Sequence, residues 1–307
     1  MIVTFGSINV DLIYFVDEIP QAGQTVLARG SRTEAGRKGA NQALAAARDG
    51  ANVVMTGAVG DDAMTPIALQ NLEGEVEISR VVRSKEPTGS AAIMIDSNGR
   101  NMIAVSAGAN LVAQSDGVED ELLRSASYVL MQMENHATQI ENLIRRVSNH
   151  RAKSILNLAP AYRLDRDLLS LVDIVIVNED EAEALAGWLG CGPRAKSLSD
   201  VLKTGVLRTM GSEGAEAFID GEEVRVPALR IDAVDTTAAG DGFVGVLASA
   251  LDRGRSLDAA MRRAATAAAI ACSRPGSQSS IPRTTDTDSW TKDTAEGKAT
   301  DNRLESD

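Results

Sequence analysis

The heptad Asp235-Thr236-Thr237-Ala238-Ala239-Gly240-Asp241 sets a carboxylate among small residues at the start of a helix. An extended run from Glu223 to Ile231 precedes it. An apolar helix is expected from about Gly242, with Phe243, Val246, Leu247 and Ala250 as its core face. Backbone N–H groups in a first helical turn lack intrahelical partners and carry the positive end of the helix dipole. At Ala238, Ala239 and Gly240 almost no side chain shields them, so they can surround an anion. Two readings of Asp241 stand side by side. It can simply offset the helix dipole. Alternatively it is a general base that takes a proton from an attacking hydroxyl while the amides hold a developing phosphate charge.

Other polar residues fall where a parallel sheet presents ligands. Asn9 and Asp11 alternate with Ile8, Val10 and Leu12 and so share one face of an extended segment. Ala35-Gly36-Arg37-Lys38-Gly39-Ala40-Asn41 is a glycine-rich entry to a helix with Ala43, Leu44 and Ala47 on one face, closed by Gly50. Glu134, Asn157 and Asn178 each end a predicted strand. Asn178-Glu179-Asp180-Glu181 opens a helix. Glu179 and Asp180 suit its dipole, whereas Asn178 and Glu181 could hold magnesium through water. Thr209-Met210-Gly211-Ser212-Glu213-Gly214 can present backbone N–H groups or simply turn into a hairpin spanning Glu216 to Val226. Ser273 to Pro282 is a loop rich in carbonyls and hydroxyls.

The elements needed to position these residues follow an α/β rhythm. Strands are expected at Ile2–Gly6, Asn52–Gly60, Tyr128–Met133, Ser154–Leu158, Ile174–Val177 and Gly205–Thr209, with helices between them. That alternation predicts a doubly wound, mostly parallel sheet flanked by helices. Thr88–Asp96 and Arg100–Ser106, joined by Asn98-Gly99, read as a hairpin. With Thr25–Gly30 they would form a small β-sheet lid, drawn from about residues 12–34 and 88–107. One domain is expected over 1–282. Residues 283–307, dominated by Thr, Asp, Lys, Glu and Ser, are read as a disordered tail.

The chain has 307 residues, 44% of them hydrophobic, and a formal net charge of −12. An acidic surface argues against nucleic acid or an anionic membrane as partner. No apolar run approaches the roughly 20 residues of a membrane span, and Met1 runs directly into a strand-like segment, so no signal peptide is expected. Cys191 and Cys272 read as reduced thiols, consistent with a cytoplasmic setting. His136 and His150 lack ligand-spaced partners, which disfavours zinc and histidine triads. Neither a P-loop nor a dinucleotide fingerprint is present.

In combination and in order, Gly6 to Asp11, Lys38 to Asn41, Gly57 to Asp62, Met131 to Glu134, Asn178 to Glu181 and Asp235 to Asp241 resemble the ribokinase branch of the PfkB-type carbohydrate kinases. The resemblance runs from about Ile2 to Pro282. It implies a ribokinase-like fold and transfer of the γ-phosphoryl group of ATP to a sugar hydroxymethyl, ribose first. It implies Asp241 as base and Ala238, Ala239 and Gly240 as anion hole. The sugar would meet Asn9, Asp11, Gly36, Lys38, Gly39, Asn41, Glu134 and Asp241; the nucleotide would meet Asn178, Thr209, Gly211, Gly214 and Gly240. Asn178 and Glu181 would serve Mg²⁺. Asp235, Thr237, Ala271, Arg274, Gly276 and Ser280 would hold an activating monovalent cation, K⁺, several through carbonyls. A homodimer paired through the lid is expected from the apolar edge residues Ile93, Ile95, Ile103 and Val105. A kinase for another pentose, nucleoside or sugar phosphate, and a sugar-binding protein without catalysis, are the alternatives.

Two departures stand out. Arg37 replaces a glycine where backbone should pass close to the sugar, and Ala265 stands where many relatives carry Asn or His. Arg37 has three outcomes open: swinging to solvent, filling the sugar site, or recruiting an anionic group. The first is favoured here because long arginine stems snorkel outward.

Overall fold

The computed structural model describes residues 1–291. Its strands are β1 (Ile2–Phe5), β2 (Asn9–Phe15), β3 (Gly30–Gly36), β4 (Val53–Gly60), β5 (Val81–Ser84), β6 (Gly89–Ile95), β7 (Asn101–Ser106), β8 (Tyr128–Gln132), β9 (Lys153–Asn157), β10 (Ile174–Val177), β11 (Gly205–Thr209), β12 (Ala215–Ile219) and β13 (Glu222–Val226). Helices are α1 (Lys38–Arg48), α2 (Thr65–Leu69), α3 (Asp120–Ser125), α4 (Ala137–Val147), α5 (Arg166–Leu169), α6 (Glu179–Leu189), α7 (Ala195–Leu202), α8 (Ala239–Asp252), α9 (Leu257–Cys272) and α10 over 284–291.

The large sheet runs β13-β12-β11-β10-β9-β8-β1-β4-β5, parallel except for the β11-β12-β13 meander. Near-continuous apolar strands such as Ile174-Val175-Ile176-Val177 suit a sheet covered on both faces. Alternate residues supply the two cores. Ile2, Leu130, Ile155 and Ile176 pack with α1, α8 and α9, whereas Val3, Phe5, Met131, Leu156 and Val177 pack with α4, α6 and α7. Chain order reverses between β1 and β8, and such a switch point opens a crevice at the strands' carboxyl ends.

The lid is the sheet β3-β2-β6-β7. Its second strand begins at Asn9, so Asn9 and Asp11 belong to the lid sheet rather than to the end of β1. The bend at Gly6–Ile8 carries the chain from one sheet to the other. The expected run Thr25–Gly30 is not a strand; the pairing lies at Gly30–Gly36, opposite Asn9–Phe15.

Order continues beyond Pro282. Residues 284–291 form a helix with Thr287 buried. Asp286 pairs with Arg274, Asp288 with Arg263, and Arg283 with Glu75. The disordered-tail expectation is therefore corrected for residues 283–291, and its remainder lies outside the described residues. Among the described residues no helix is long and apolar enough to cross a membrane.

Candidate active site

α8 starts at Ala239, three residues before the expected Gly242, with Ala238 as its N-cap and Asp241 in its first turn. The Ala239 N–H points to the Thr236 carbonyl at 3.3 Å. The amides of Gly240 and Asp241 stand where an α-helix has no carbonyl partner to offer. Asp241 itself is buried, 7% exposed. Its Oδ2 accepts from Asn41 Nδ2 at 2.9 Å and its Oδ1 from Gln42 Nε2 at 2.9 Å. Both donors come from the N-terminal part of α1.

That juxtaposition depends on close helix packing. A Cβ on Gly245, one turn after Asp241, would overlap the Gln42 carbonyl and the Ala45 side chain. The glycine lets α8 lie directly on α1. Gln42 is held in turn: Gln132 Nε2 donates to its Oε1 at 2.7 Å, and its own amide also reaches Asn157 Oδ1 at 2.9 Å. A chain of neutral amides thus runs from the sheet to the carboxylate. Gln42 was not singled out in the sequence. Its signal was a polar residue inside the buried run Ala40–Ala46.

The glycines of the α1 entry have separate tasks. A side chain on Gly36 would collide with the Asp11 carboxylate, so Gly36 lets Asp11 lie against the backbone. Gly39 instead packs on the backbone of Gly6 and Ser7, and its N–H donates to Ser7 Oγ at 3.3 Å. Its missing side chain serves the approach of helix to strand. Asn41 spends its amide on Asp241 and on Ser277 Oγ at 3.2 Å.

Across the switch point, Glu134 follows β8. Its Oε2 accepts from Ser7 Oγ at 2.6 Å and from the Lys38 N–H at 3.3 Å. Its Oε1 lies 3.2 Å from Arg37 Nη1. Arg37 therefore turns inward, against the outward swing expected from its length. With the Asn9 amide oxygen facing it, Arg37 Nε is 3.1 Å from Asn9. Asn110, from a turn with no distinctive sequence signal, accepts from the Ile8 N–H at 2.9 Å and lies against the other side of the Asn9 amide. Burial raises the Asp11 carboxyl from its ordinary 3.8 to about 6. Arg37 opposes that rise; Glu134, Glu34 and Asp241 add to it.

At the other end of the crevice lies a cavity of about 700 Å³. Asn178, Thr209, Gly211, Gly214, Ala239 and Gly240 line it together with Leu229, Phe243, Ala265 and Ala268. Asn178 and Glu181 form a capping box, each side chain accepting from the other's N–H at 2.8 Å. Burial raises the Glu181 carboxyl above its ordinary range, while the Asn178 N–H and Lys38 pull it back. Among the described residues, no three His, Cys, Asp or Glu side chains gather closely enough to hold a metal ion.

Asp235, Thr237 and Gly276 meet beside this crevice. Asp235 Oδ1 accepts from the Thr237 N–H at 3.0 Å and from its hydroxyl, and Oδ2 accepts from the Gly276 N–H at 3.1 Å. Burial alone would raise the Asp235 carboxyl, but these bonds and Arg32 hold it below its ordinary range. The Ala271 carbonyl accepts from the Arg274 N–H at 3.2 Å, and Ser280 Oγ donates to the Ser277 carbonyl at 2.7 Å. The Arg274 guanidinium is directed away, to Asp286. Glu34, unmarked in the sequence reading, accepts from the Ser277 N–H at 3.3 Å and links the lid to this loop.

The pfkB family carbohydrate kinase model matches residues 1–284. A deoxyribokinase of Salmonella typhi is 34% identical over 292 residues, covering 92% of this chain and 95% of that protein. A ribokinase of Staphylococcus aureus is 32% identical over 293 residues, covering 92% and 96%. The ribokinase structure from Thermotoga maritima superposes with a TM-score of 0.88 at 29% identity, covering 95% of this chain and 99% of that one. An Arabidopsis thaliana ribokinase complexed with ribose and ATP gives a TM-score of 0.83 at 29% identity, covering 93% and 96%. With the family match spanning nearly the whole described chain, the chain belongs to the pfkB family and is an ATP-dependent carbohydrate kinase.

Proposed function

We propose that this kinase phosphorylates the hydroxymethyl group of a pentose, with ribose giving ribose 5-phosphate. The observation that carries the reading is Asp241. Its two oxygens are fixed by amides of α1, at a helix start between a carboxylate-rich polar cleft and a nucleotide-sized cavity. The named relatives include both a ribokinase and a deoxyribokinase at nearly equal identity, which supports a pentose without choosing among them.

In this reading Asp11, Asn9 and the Gly36 backbone orient the sugar, and Asp241 takes the proton from its hydroxymethyl oxygen. The first-turn amides of α8 face the phosphoryl oxygens as charge spreads over them in a loose, in-line transition state. Thr209, Gly211 and Gly214 border the nucleotide. Asn178 and Glu181 fit a water-mediated role toward Mg²⁺, which usually keeps several waters and few protein ligands. When bound with ATP, Mg²⁺ would neutralise phosphate charge. The Asp235 carboxylate and the carbonyls of 271–280 suit a monovalent cation such as K⁺, which would tighten the loop before α8.

The lid also supports self-association. Ile103 and Val105 on β7 are each 50% exposed and Met102 is 44% exposed. A flat apolar edge of this kind favours pairing with a second copy. A dimeric mass by light scattering at micromolar concentration is expected, and a monomer would count against it.

The test is ADP release with ATP, Mg²⁺ and a panel of pentoses, nucleosides and sugar phosphates, in potassium and in sodium salts. Ribose turnover yielding the 5-phosphate, faster in potassium, is expected. Turnover confined to nucleosides or sugar phosphates would overturn the pentose reading; equal rates in both salts would remove the cation site.

A further inference from the structure

Arg37 is held in a backbone conformation that rarely admits a side chain. Its φ is 87° and ψ 153° at the N-cap of α1, a region almost restricted to glycine. Strain of this kind persists where surrounding contacts over-determine it, and here those contacts lie inside the sugar cleft. The guanidinium bridges Glu134 and Asn9. Both are side chains whose oxygens would otherwise meet sugar hydroxyls.

A carboxylate offers about four lone-pair sites. Glu134 gives Oε1 to Arg37 and Oε2 to both Ser7 and Lys38. Asn9 stands between Arg37 and Asn110. Arg37 thus takes up acceptor capacity at Glu134 Oε1 and Asn9 that would otherwise read hydroxyl protons, and sets a donor in their place. Asp11 keeps its capacity, since burial and neighbouring charges, not hydrogen bonds, act on its carboxyl.

Charge balance argues against an anionic sugar as the reason for the arginine. Glu134, Glu34 and Asp241 all act on Asp11 in the cleft. Arg37 is already paired to Glu134, and Arg32 to Glu34. A further anion would enter a field that is not positive. The arrangement instead removes the reward for one hydroxyl. A site built to bond a hydroxyl rejects the analogue lacking it by about 10⁴–10⁵-fold, and a site not so built has no such penalty to impose.

We infer that Arg37 is a specificity determinant: by occupying the hydroxyl-reading oxygens of Glu134 and Asn9, it admits a deoxypentose alongside the fully hydroxylated pentose. The inference rests on the pentose reading above and deepens it.

The experiment compares kcat/KM for ribose, 2-deoxyribose and 3-deoxyribose in the wild type, Arg37→Gly and Arg37→Ala. Arg37→Gly removes both side chain and backbone strain, whereas Arg37→Ala removes the guanidinium alone. Calorimetric sugar binding without ATP provides a readout independent of turnover. The wild type is expected to use ribose and at least one deoxypentose within about tenfold of each other, and both variants to shift that ratio toward ribose by about tenfold or more. A wild type that prefers ribose over both deoxypentoses by more than about a hundredfold, or a ratio unmoved in both variants, would overturn the inference while leaving the pentose reading intact. Absence of binding and turnover with every pentose would overturn both.

Discussion

The two ends of the crevice are built on opposite principles. At the proposed sugar end, charged and polar side chains contact one another directly: Arg37 with Glu134, Glu134 with Ser7, and Asn9 with Asn110. At the nucleotide end the walls are mostly small or apolar, with Ala228, Ala233, Ala265, Ala268, Gly211 and Gly214 around a cavity of about 700 Å³. Under the proposed function, side chains would select at the first end, and shape and backbone would accommodate at the second. Asp241 lies where they meet, held by donors that belong to the sugar-side helix α1 but mounted on the helix that borders the nucleotide. Under the proposed function the α1–α8 contact would couple selection to chemistry.

Breaking that contact should have the larger effect. Gly245→Val would force α8 away from the Gln42 backbone. Overpacking of this kind costs about 1–3 kcal/mol, and displacing a catalytic group by 1 Å can cost about 10²-fold in rate. A lowered melting temperature together with a kcat loss of that order is expected. Wild-type kcat in a folded variant would show that the close approach does not position Asp241.

A milder perturbation sharpens the sugar end alone. The Asp11 carboxyl sits at about 6, raised first by burial, then by Glu134, Glu34 and Asp241, with Arg37 opposing. If ionised Asp11 accepts from the sugar, kcat/KM for the sugar falls about tenfold per pH unit below that value. In Arg37→Gly the break moves to higher pH, because the opposing cation is gone. The stability linkage has the opposite sense. A carboxyl raised in the folded state binds its proton more tightly there, so its stabilising contribution is fully present below 3.8 and lost as pH rises through about 6. A flat sugar kcat/KM from pH 5 to 7 would remove Asp11 from the recognition.

The helix start at Asp241 and the strand ends at Asn178 and Thr209 were the more legible parts of the sequence. Small residues before a carboxylate at a helix start carry their geometry locally, and the β/α alternation placed Asn178 and Thr209 at strand ends. The sugar end was harder because its logic is tertiary. Gln42 and Asn110 act through partners 199 and 101 positions away. Arg37 was expected outside because long arginine stems snorkel outward; Glu134, already fixed by Ser7, offers the guanidinium an ion-pair partner inside. The lid strand was misplaced because Ser31-Arg32-Thr33-Glu34 is polar, and its polarity serves the contacts of Arg32 and Glu34 with Asp235 and Ser277. The helix over 284–291 was hidden by its Thr- and Asp-rich composition, although Asp286 and Asp288 are the partners of Arg274 and Arg263.

The central claim is that Asp241 performs proton transfer at the junction of two otherwise separate binding regions. Asp241→Asn tests it most directly, with kcat measured beside calorimetric binding of ribose and of ATP. Asparagine fits the same space between Asn41 and Gln42 but cannot act as the base. The account predicts that both ligands still bind within a few-fold of wild type while kcat falls by about 10²–10⁴. Turnover within threefold of wild type, or loss of ligand binding without a further defect in kcat, would contradict it.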